Sequence, residues 1–464
     1  MKNLKESVVE CVTAAGEPIE GHLIRLGRFD AVFEVSNCFD ALRTSEALTT
    51  LTITLDKRLL YEGRATVRKL VDTETGLLCE VALDERGISL EMLPSLETES
   101  FENFTRQWMA AYRVAPEFKV VVADVSILLS NVRLWMGQLE ITARATEPQR
   151  VAEKQHEFLS RVSSQVIASF NAQHERFEDQ AYRISLELRG AHQNHAWREW
   201  SSFFLSTPFG HRTFYKPFGY AGDYEMMDMI HRNAPEGGSL FAKAMQLLLL
   251  SQWPAESVRN RIAHLREVLV NETARVVRAG RRARILNLGC GPAREVQSFM
   301  AESALSDHAD FTLLDFNHET VTYTGAKLNE IKRKTGRRTG IATRQMSVHQ
   351  VLRSAVAQNR SSLSMESYDL IYCAGLFDYL ADTTCKALVK LFYEWLVPGG
   401  LVVVANMNDS KPFRNFIEFV LDWHLIYRDA RGVWAFCPPE AVKHAAVIAD
   451  PTTVNLFLHV RRPE

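Results

Sequence analysis

The chain has 464 residues, 46% of them hydrophobic, and a formal net charge of −2. This length and composition predict two or three domains with packed cores, and the small net charge excludes a global attraction to nucleic acid or to an anionic membrane. The seven cysteines contain no Cys-x-x-Cys pair and the histidines lack metal-ligand spacing, which predicts reduced thiols, no metal site and a cytoplasmic location. Because the apolar segment 245–250 is too short to cross a bilayer, no integral membrane segment is expected.

Residues 1–90 consist of short segments in which apolar and polar residues alternate, separated by turn residues. This period of two is typical of half-buried strands, and five or six strands at this spacing predict a small antiparallel β-barrel. The predicted strands cover residues 19–26, 31–35, 51–55, 64–68 and 77–83.

This region resembles a divergent PilZ domain, a family that binds cyclic-di-GMP through an arginine-rich entry segment and an Asp-x-Ser-x-x-Gly motif. Arg25, Arg28 and Asp30 lie near the expected positions, but Asp30 is followed by Ala31-Val32-Phe33. Because most of the ligand-binding motif is absent, we do not expect cyclic-di-GMP to bind. The barrel is predicted to have a structural or dimerising role.

Residues 91–280 are predicted to be mostly helical. Apolar residues recur at helical spacing over 101–109, 120–138 and 151–191, and Pro148 and Pro208 are expected to interrupt the helices. The apolar stripe of the longest segment predicts a seam that faces the core or a partner helix in a homodimer. If the three regions are independent, the C-terminal region should keep its ligand without the barrel.

The segment 208–227 is rich in aromatic residues and glycine, and it has no helical period before Asp223. Such a composition predicts an ordered loop pressed against a flat surface. We interpret this segment as a lid over a binding site. The alternative is a packed loop between domains.

A strand, a glycine turn and a helix begin the last region, residues 281–464. The apolar run 285–288 predicts a buried strand, Gly289-Cys290-Gly291 breaks it, and a helical pattern starts at Glu295. This arrangement presents backbone N–H groups and a helix N-terminus to a ligand. A second apolar strand ends in Asp315, at the distance typical of a carboxylate that accepts hydrogen bonds from ribose hydroxyls. The third position of a dinucleotide fingerprint is Arg294 rather than glycine, which argues against a dehydrogenase.

These segments resemble motifs I and II of class I S-adenosylmethionine (SAM)-dependent methyltransferases. Residues 368–380 resemble motif IV, the strand whose end faces the donor methyl group, and residues 396–404 resemble the turn and strand that follow it. The resemblance implies a Rossmann-like α/β methyltransferase domain, SAM as the cofactor and methyl transfer as the activity.

The resemblance also assigns cofactor-binding residues by position. They are Gly289 and Gly291 beside the methionine part, Asp315 on the ribose, Phe316, Asn317, Met346 and Ser347 around the adenine, and Cys373, Ala374 and Gly375 near the sulfonium. From the lid, Tyr215 and Tyr220 would cover the sulfonium or the adenine, since a cation is attracted to the face of an aromatic ring.

The lid carries a second resemblance. Residues 216–227 are similar to the signature of bacterial proteins assigned to the biosynthesis of 3-hydroxypalmitic acid methyl ester, an extracellular quorum-sensing factor. This similarity implies methylation of the carboxyl group of a 3-hydroxy fatty acid or of its activated form, so a small acyl or carboxylate substrate is expected. The aromatic insertion 406–435 would form the acyl pocket or cover the edge of the sheet.

A carboxylate acceptor needs no general base, because it is already ionised near neutral pH. Catalysis then depends on alignment, exclusion of water and a group that holds the buried acceptor anion. The candidates for that role come from the lid and from the aromatic insertion: His211, Arg212, Lys216, Tyr220, Arg414, His424 and Tyr427. A hydroxyl or amine acceptor would instead need a base, and the candidates are Asp378, Asp223 and His424.

Two other functions stay open. One is a SAM-dependent N- or O-methyltransferase of another small metabolite, marked by a short polar acceptor cavity. The other is a regulatory protein that responds to a cyclic dinucleotide through the barrel, against which the missing Asp-x-Ser-x-x-Gly motif argues.

Overall fold

The computed structural model describes most of the chain and shows a barrel, a helical region and an α/β domain packed together. The described residues are 7–14, 16–27, 30–35, 42–55, 58–72, 77–84, 113–146, 148–356 and 368–464. Arg28 and the helix predicted over 101–109 lie outside the described residues.

The N-terminal region is a closed antiparallel barrel. Its strands are β1 (Ser7–Val12), β2 (Pro18–Leu26), β3 (Asp30–Val35), β4 (Ala47–Leu55), β5 (Arg58–Asp72) and β6 (Leu77–Leu83). The strand order is β1-β2-β3-β6-β5-β4, and pairing of β4 with β1 closes the barrel. Alternate side chains point inward, so that Phe33, Ile53 and Tyr61 are buried in its core. The predicted barrel is confirmed. Near the predicted PilZ-like positions, Arg25 and Asp30 form an ion pair with each other at 2.9 Å.

The middle region is built from helices that share one apolar core. They are α1 (Pro116–Thr146), α2 (Val151–Tyr182), α3 (Leu186–Phe204), α4 (Pro208–Tyr215), α5 (Tyr224–Arg232), α6 (Leu240–Leu250) and α7 (Trp253–Arg278), with a 3-10 turn over Pro148–Arg150. The predicted stripe of α2 faces this core through Val166, Phe170 and Phe177. Phe416 and Phe419 of the aromatic insertion belong to the same core, so the insertion is anchored to the helices.

Within the described part of the chain, one helical stretch, Pro116–Ala145, is long and apolar enough to cross a membrane by length and composition. Charged residues such as Lys119 and Arg133 occur within this stretch. A search of the sequence for continuous apolar residues therefore does not identify it. Phe118 and Val125 on its buried side pack into the helical core.

The C-terminal region surrounds a seven-stranded mixed sheet. Its strands are β7 (Ala283–Leu288), β8 (Ala309–Asp315), β9 (Gly340–Gln345), β10 (Tyr368–Ala374), β11 (Leu396–Met407), β12 (Ala445–Ala449) and β13 (Asn455–Arg461). The order is β12-β13-β11-β10-β7-β8-β9. Neighbouring strands from β9 to β11 are parallel, and β13 is antiparallel to both of its neighbours. The predicted α/β domain is confirmed in this architecture.

Helices cover both faces of this sheet. The helices of this region are α8 (Arg294–Glu302), α9 (His318–Thr335), α10 (Val348–Val356), α11 (Asp382–Glu394), α12 (Arg414–Val420) and α13 (Ala430–Trp434), with 3-10 turns over Ala304–His308, Phe377–Tyr379 and Pro439–His444. Of these, α12 packs against α2 and α3 of the middle region. Successive residues of β7 belong to different apolar clusters, Ile285 to one and Leu286 to the other. The chain reverses its direction across the sheet between β7 and β10. In open α/β sheets, ligands bind in the crevice that such a reversal leaves at the carboxyl ends of the strands.

Candidate active site

A cavity opens at this reversal point. It encloses about 1050 Å³ of space, including its open mouth. All three regions contribute to its wall: Arg43 and Thr44 come from the barrel, Tyr220 from the lid and Arg261 from α7, and the remainder comes mainly from the α/β domain. We name it the donor cavity, after the methyl donor that the sequence predicts there.

The glycine turn forms one wall of the donor cavity. Gly289 and Gly291 have φ angles of +69° and +50°, a region that residues with a Cβ rarely adopt. The Gly289 and Cys290 amides donate to the carbonyl oxygen of Leu314 at 2.8 and 3.0 Å. The turn is therefore held directly against the end of β8.

Asp315 lies beside this turn, buried, and lines the donor cavity. Its Oδ2 accepts from the Gly291 amide at 3.1 Å and its Oδ1 accepts from the Asn317 amide at 3.0 Å. Burial raises the pKa of Asp315 above its usual value, although the two amides oppose this shift. Each oxygen keeps acceptor capacity, so the carboxylate is oriented to accept further hydrogen bonds from a ligand.

Two residues of opposite charge, Glu295 and Arg261, line the cavity, and each is more than nine-tenths buried. Glu295 accepts at Oε1 from the Tyr372 hydroxyl at 2.8 Å, and burial raises the pKa of Glu295. Arg261 packs against Gly375, where a Cβ would lie 2.9 Å from the arginine Nη2. Among the described residues, the contact given for the Arg261 guanidinium is with a sulfur, since its Nη2 lies 3.8 Å from Met227 Sδ. The charge of Arg261 also opposes the rise in the pKa of Glu295. A buried cation and a buried anion suit a ligand that carries both charges.

An aromatic wall lies next to Asp315. The rings of Phe316 and Tyr220 have centroids 4.8 Å apart, and the Arg43 guanidinium lies 4.1 Å from the Phe316 centroid. Met346 also lines the cavity, and its amide donates to the Asp315 carbonyl oxygen at 2.8 Å. These flat and apolar groups suit a planar ring.

The prediction of a loop throughout 208–227 is wrong for its first half, because residues 208–215 form α4. The Thr207 hydroxyl caps this helix by accepting from the Gly210 amide, and Pro208 occupies its first turn. Both are helix-start signals that the sequence contains. The loop proper starts at Lys216, which has a φ of +46°, and ends at Asp223, which caps α5.

Four predicted lid residues do not line the donor cavity and need correction. The Lys216 side chain is fully buried, and its ammonium pairs with Asp422 Oδ2 at 3.0 Å. Arg212 pairs with Asp223 at 2.8 Å. The rings of His211 and Tyr215 contact each other at a tilted angle of 39°, with centroids 4.4 Å apart, and both residues are exposed. These groups are held by partners within the chain, so they do not face a substrate there.

Four more predicted site residues have structural partners outside the cavity wall. The Asn317 side chain caps α9 by accepting from the Thr320 amide, and the Ser347 hydroxyl accepts from the Gln350 amide in the first turn of α10. Cys373 is buried in the core of the sheet, and Asp378 accepts from the Met407 amide. The predicted residues that do line the cavity are Tyr220, Gly289, Gly291, Asp315, Phe316, Met346, Ala374 and Gly375.

Sequence reasoning missed several cavity residues, among them the polar residues Arg261, Glu295, Arg43 and Thr44. Arg261 interrupts an inward apolar stripe of α7 between Val258 and Leu265, and this break in the period is a signal that could have identified it. Glu295 lies in the first turn of α8, the helix that follows the glycine turn. Arg43 and Thr44 belong to the barrel, and no local pattern connects them with a site in the C-terminal region.

A second, small apolar cavity with about 20 Å³ of internal space lies among the helices and the aromatic insertion. Its wall includes Phe413, Phe416 and Trp423 of the insertion. Trp423 Nε1 donates to the hydroxyl oxygen of Tyr379 at 2.9 Å, and Tyr379 lines the donor cavity. The two cavities are therefore neighbours, with the Trp423–Tyr379 pair between them.

Comparison with known proteins gives resemblances of structure alone. No protein-family model matches the chain, and no curated protein matches it in sequence. A solved Bordetella parapertussis protein described as a possible exported protein is 14% identical, with a TM-score of 0.42, over 64% of this chain and 97% of that one.

Two solved methyltransferases also resemble the chain. The N-methyltransferase NodS from Bradyrhizobium japonicum, in complex with S-adenosylhomocysteine, is 16% identical over 44% of this chain and 87% of its own, with a TM-score of 0.29. Magnesium protoporphyrin IX methyltransferase from Synechocystis, with bound SAM, is 10% identical over 51% of this chain and 90% of its own, with a TM-score of 0.30. At these identities and scores the resemblance assigns no activity, so we infer function from the cavity.

Proposed function

We propose that the chain is a SAM-dependent methyltransferase. The observation that carries this proposal is the set of groups in the donor cavity: an oriented carboxylate, a separate buried cation and anion, and an aromatic wall. SAM carries a ribose diol, an α-ammonium, an α-carboxylate and an adenine. Asp315 would accept from the diol, Glu295 would pair with the ammonium and Arg261 with the carboxylate, while Phe316 and Met346 would flank the adenine.

The chain's own residues would act mainly by position. When bound, SAM supplies an electrophilic methyl group. The glycine turn admits the donor close to the backbone, and the opposite charges of Glu295 and Arg261 fix its orientation. Tyr220 from the lid and Arg43 from the barrel cover the cavity and limit the access of water. Holding the reactants in line removes much of the entropic barrier of a displacement at carbon.

We propose as acceptor the carboxylate of a medium- or long-chain 3-hydroxy fatty acid. The neighbouring cavity supports this choice by the apolar side chains that it places beside the donor cavity. Its internal space is about 20 Å³, so the cavity would have to widen to admit an acyl chain. Burial raises the pKa of Tyr379, so its hydroxyl stays protonated. Its oxygen accepts from Trp423, which leaves its hydrogen to donate to an acceptor carboxylate at the junction of the cavities.

One observation favours a second candidate, N- or O-methylation of another small metabolite. Burial raises the pKa of Glu295, and a carboxylate with a raised pKa in a cavity is suited to act as a general base. Glu295→Gln separates the two candidates. Loss of donor affinity supports the donor-binding role, whereas a slower reaction at unchanged donor affinity supports the base.

Calorimetric titration of the full-length chain with S-adenosylhomocysteine tests the proposal. We expect binding, and we expect Asp315→Asn to weaken it by roughly 3–6 kcal/mol at most, the range for two hydrogen bonds to a charged group. Asp310→Asn is a matched control, because Asp310 lies on the same strand with its side chain 46% exposed and paired with Arg282. No binding to the unmodified chain, or equal binding to the Asp315 and Asp310 variants, would contradict the proposal.

A further inference from the structure

The barrel segment 42–47 forms part of the wall of the donor cavity. Arg43 and Thr44 both line it, and the Arg43 guanidinium lies over the Phe316 ring. The Thr44 hydroxyl oxygen is buried and has no hydrogen-bond partner among the residues that the structure describes. A buried hydroxyl without a partner is unfavourable until a ligand group supplies one. Two independent features of the barrel thus face the place where the donor is proposed to bind.

The barrel holds this segment in one conformation. Glu46 is buried and accepts at Oε2 from the Arg43 amide at 2.9 Å, while its Oε1 accepts from the Ala14 amide. The Ser45 amide donates to the Val67 carbonyl oxygen at 2.7 Å. These bonds connect the segment to β1 and β5, so Arg43 and Thr44 move with the barrel as a unit.

The same segment is bonded to the other two regions. The Thr44 amide donates to the Tyr379 carbonyl oxygen at 3.2 Å, and the Ala47 amide donates to the Gly219 carbonyl oxygen of the lid at 2.6 Å. The Ser45 hydroxyl donates to the His424 carbonyl oxygen at 2.7 Å. Docking of the barrel therefore decides whether Arg43 and Thr44 reach the cavity. These hydrogen bonds join the barrel to the lid and to the C-terminal region beside the cavity.

We infer that Arg43 and Thr44 bind the nucleoside part of the methyl donor, so that barrel docking and donor binding stabilise each other. This inference rests on the proposed function. Arg43 would hold the aromatic wall over the planar base, and the Thr44 hydroxyl would bond a polar atom of the nucleoside. A ligand that two regions bind jointly stabilises the contact between those regions. By thermodynamic reciprocity, undocking of the barrel lowers the affinity for the ligand by the same factor. The barrel is thus a built-in control on donor affinity.

Titration of full-length variants with S-adenosylhomocysteine tests the contacts. We expect Arg43→Ala and Thr44→Val each to weaken binding by about 5- to 10-fold, because each removes a single contact of a planar or polar group. Arg43→Lys keeps the charge but loses the planar stacking group. The affinity of this variant for S-adenosylhomocysteine should therefore lie between that of Arg43→Ala and that of the unmodified chain. Arg25→Ala is the matched control, because Arg25 belongs to the same barrel, has a side chain 56% exposed and does not line the cavity.

The outcomes separate the two proposals. If the unmodified chain does not bind S-adenosylhomocysteine, the proposed function fails. If it binds and the Arg43 and Thr44 variants bind equally well, the present inference fails while the proposed function stands. Hydrogen exchange of the unmodified chain gives a measurement that needs no variant. S-Adenosylhomocysteine should slow exchange of the Thr44 and Ala47 amides, which bond across the interface, and unchanged exchange there would overturn the coupling.

Discussion

Replacement of Lys216 by methionine is expected to destabilise the chain and to leave donor binding intact. The Lys216 side chain is fully buried, and its ammonium lies 3.0 Å from Asp422 Oδ2. Burial alone would raise the pKa of Asp422, but the charges of Lys216 and His424 outweigh it and hold the pKa below its usual value. Lys216→Met would therefore leave the Asp422 carboxylate, whose side chain is 18% exposed, without its main counter-ion and with His424 at 3.0 Å as a remaining partner.

Removal of one partner of a buried ion pair costs about 3–5 kcal/mol. For a cooperative unit of about 150–250 residues, each kcal/mol lowers the melting temperature by roughly 2–4 °C. The variant should therefore melt roughly 6–20 °C below the unmodified chain. Differential scanning calorimetry measures this shift, and titration with S-adenosylhomocysteine below the transition measures donor affinity.

A double variant provides the control. Lys216→Met with Asp422→Leu removes both charges, so most of the lost stability should return. The reasoning would be refuted if the Lys216→Met variant melted at the same temperature as the unmodified chain but had no methyl-transfer activity. That result would restore the sequence-based role of Lys216 as the group that holds the acceptor anion.

Two further predictions concern pH and the acyl chain. Burial raises the pKa of Asp315 and the pKa of Glu295 above their ordinary values of 3.8 and 4.5. In the donor-free chain, protonation of these two carboxyl groups therefore stabilises the folded state at low pH. This contribution to stability is lost as the pH rises through the pKa values that the two groups have in the folded chain. Because the donor binds the ionised forms of Asp315 and Glu295, its affinity should rise with pH over this same pH range, and binding should release protons. Calorimetry in two buffers with different heats of ionisation measures the number of protons released. Uptake of protons on binding would contradict the prediction. Ala255 lines the apolar cavity, so Ala255→Leu should lower kcat/KM for long-chain acids about tenfold, or about 1.4 kcal/mol, and spare short-chain acids. Ala145→Leu, at the exposed end of α1, is its control, and an equal loss for all chain lengths would argue against an acyl cavity.

The donor side of the site could be predicted from local sequence. The apolar run, the glycines and the carboxylate that ends the next strand lie within one strand–turn–helix–strand unit, so their spacing in the chain determines their spacing in the fold. Gly289, Gly291 and Asp315 accordingly line one cavity. Alternation in the first 90 residues likewise predicted the barrel, because a period of two permits few other structures.

Residues whose role depends on packing between distant segments could not be predicted in the same way. Residue type indicated that Lys216 and Arg212 were charged groups in an aromatic segment, but it did not reveal that Asp422 and Asp223 would pair with them. The role of Arg43 depends on how two regions dock, and docking is decided by contacts between residues far apart in the chain. Such contacts leave no period or motif in the sequence.

Methyl transfer itself tests the account most directly. The full-length chain would be incubated with SAM carrying a deuterated methyl group and with 3-hydroxypalmitic acid, and the products would be analysed by mass spectrometry. We predict a labelled methyl ester with the unmodified chain and a strongly reduced amount with Asp315→Asn. A chain that binds S-adenosylhomocysteine but leaves 3-hydroxy acids of every length unlabelled would contradict the proposed acceptor, and a chain that transfers no label to any acid, amine or hydroxyl acceptor would contradict the proposed activity.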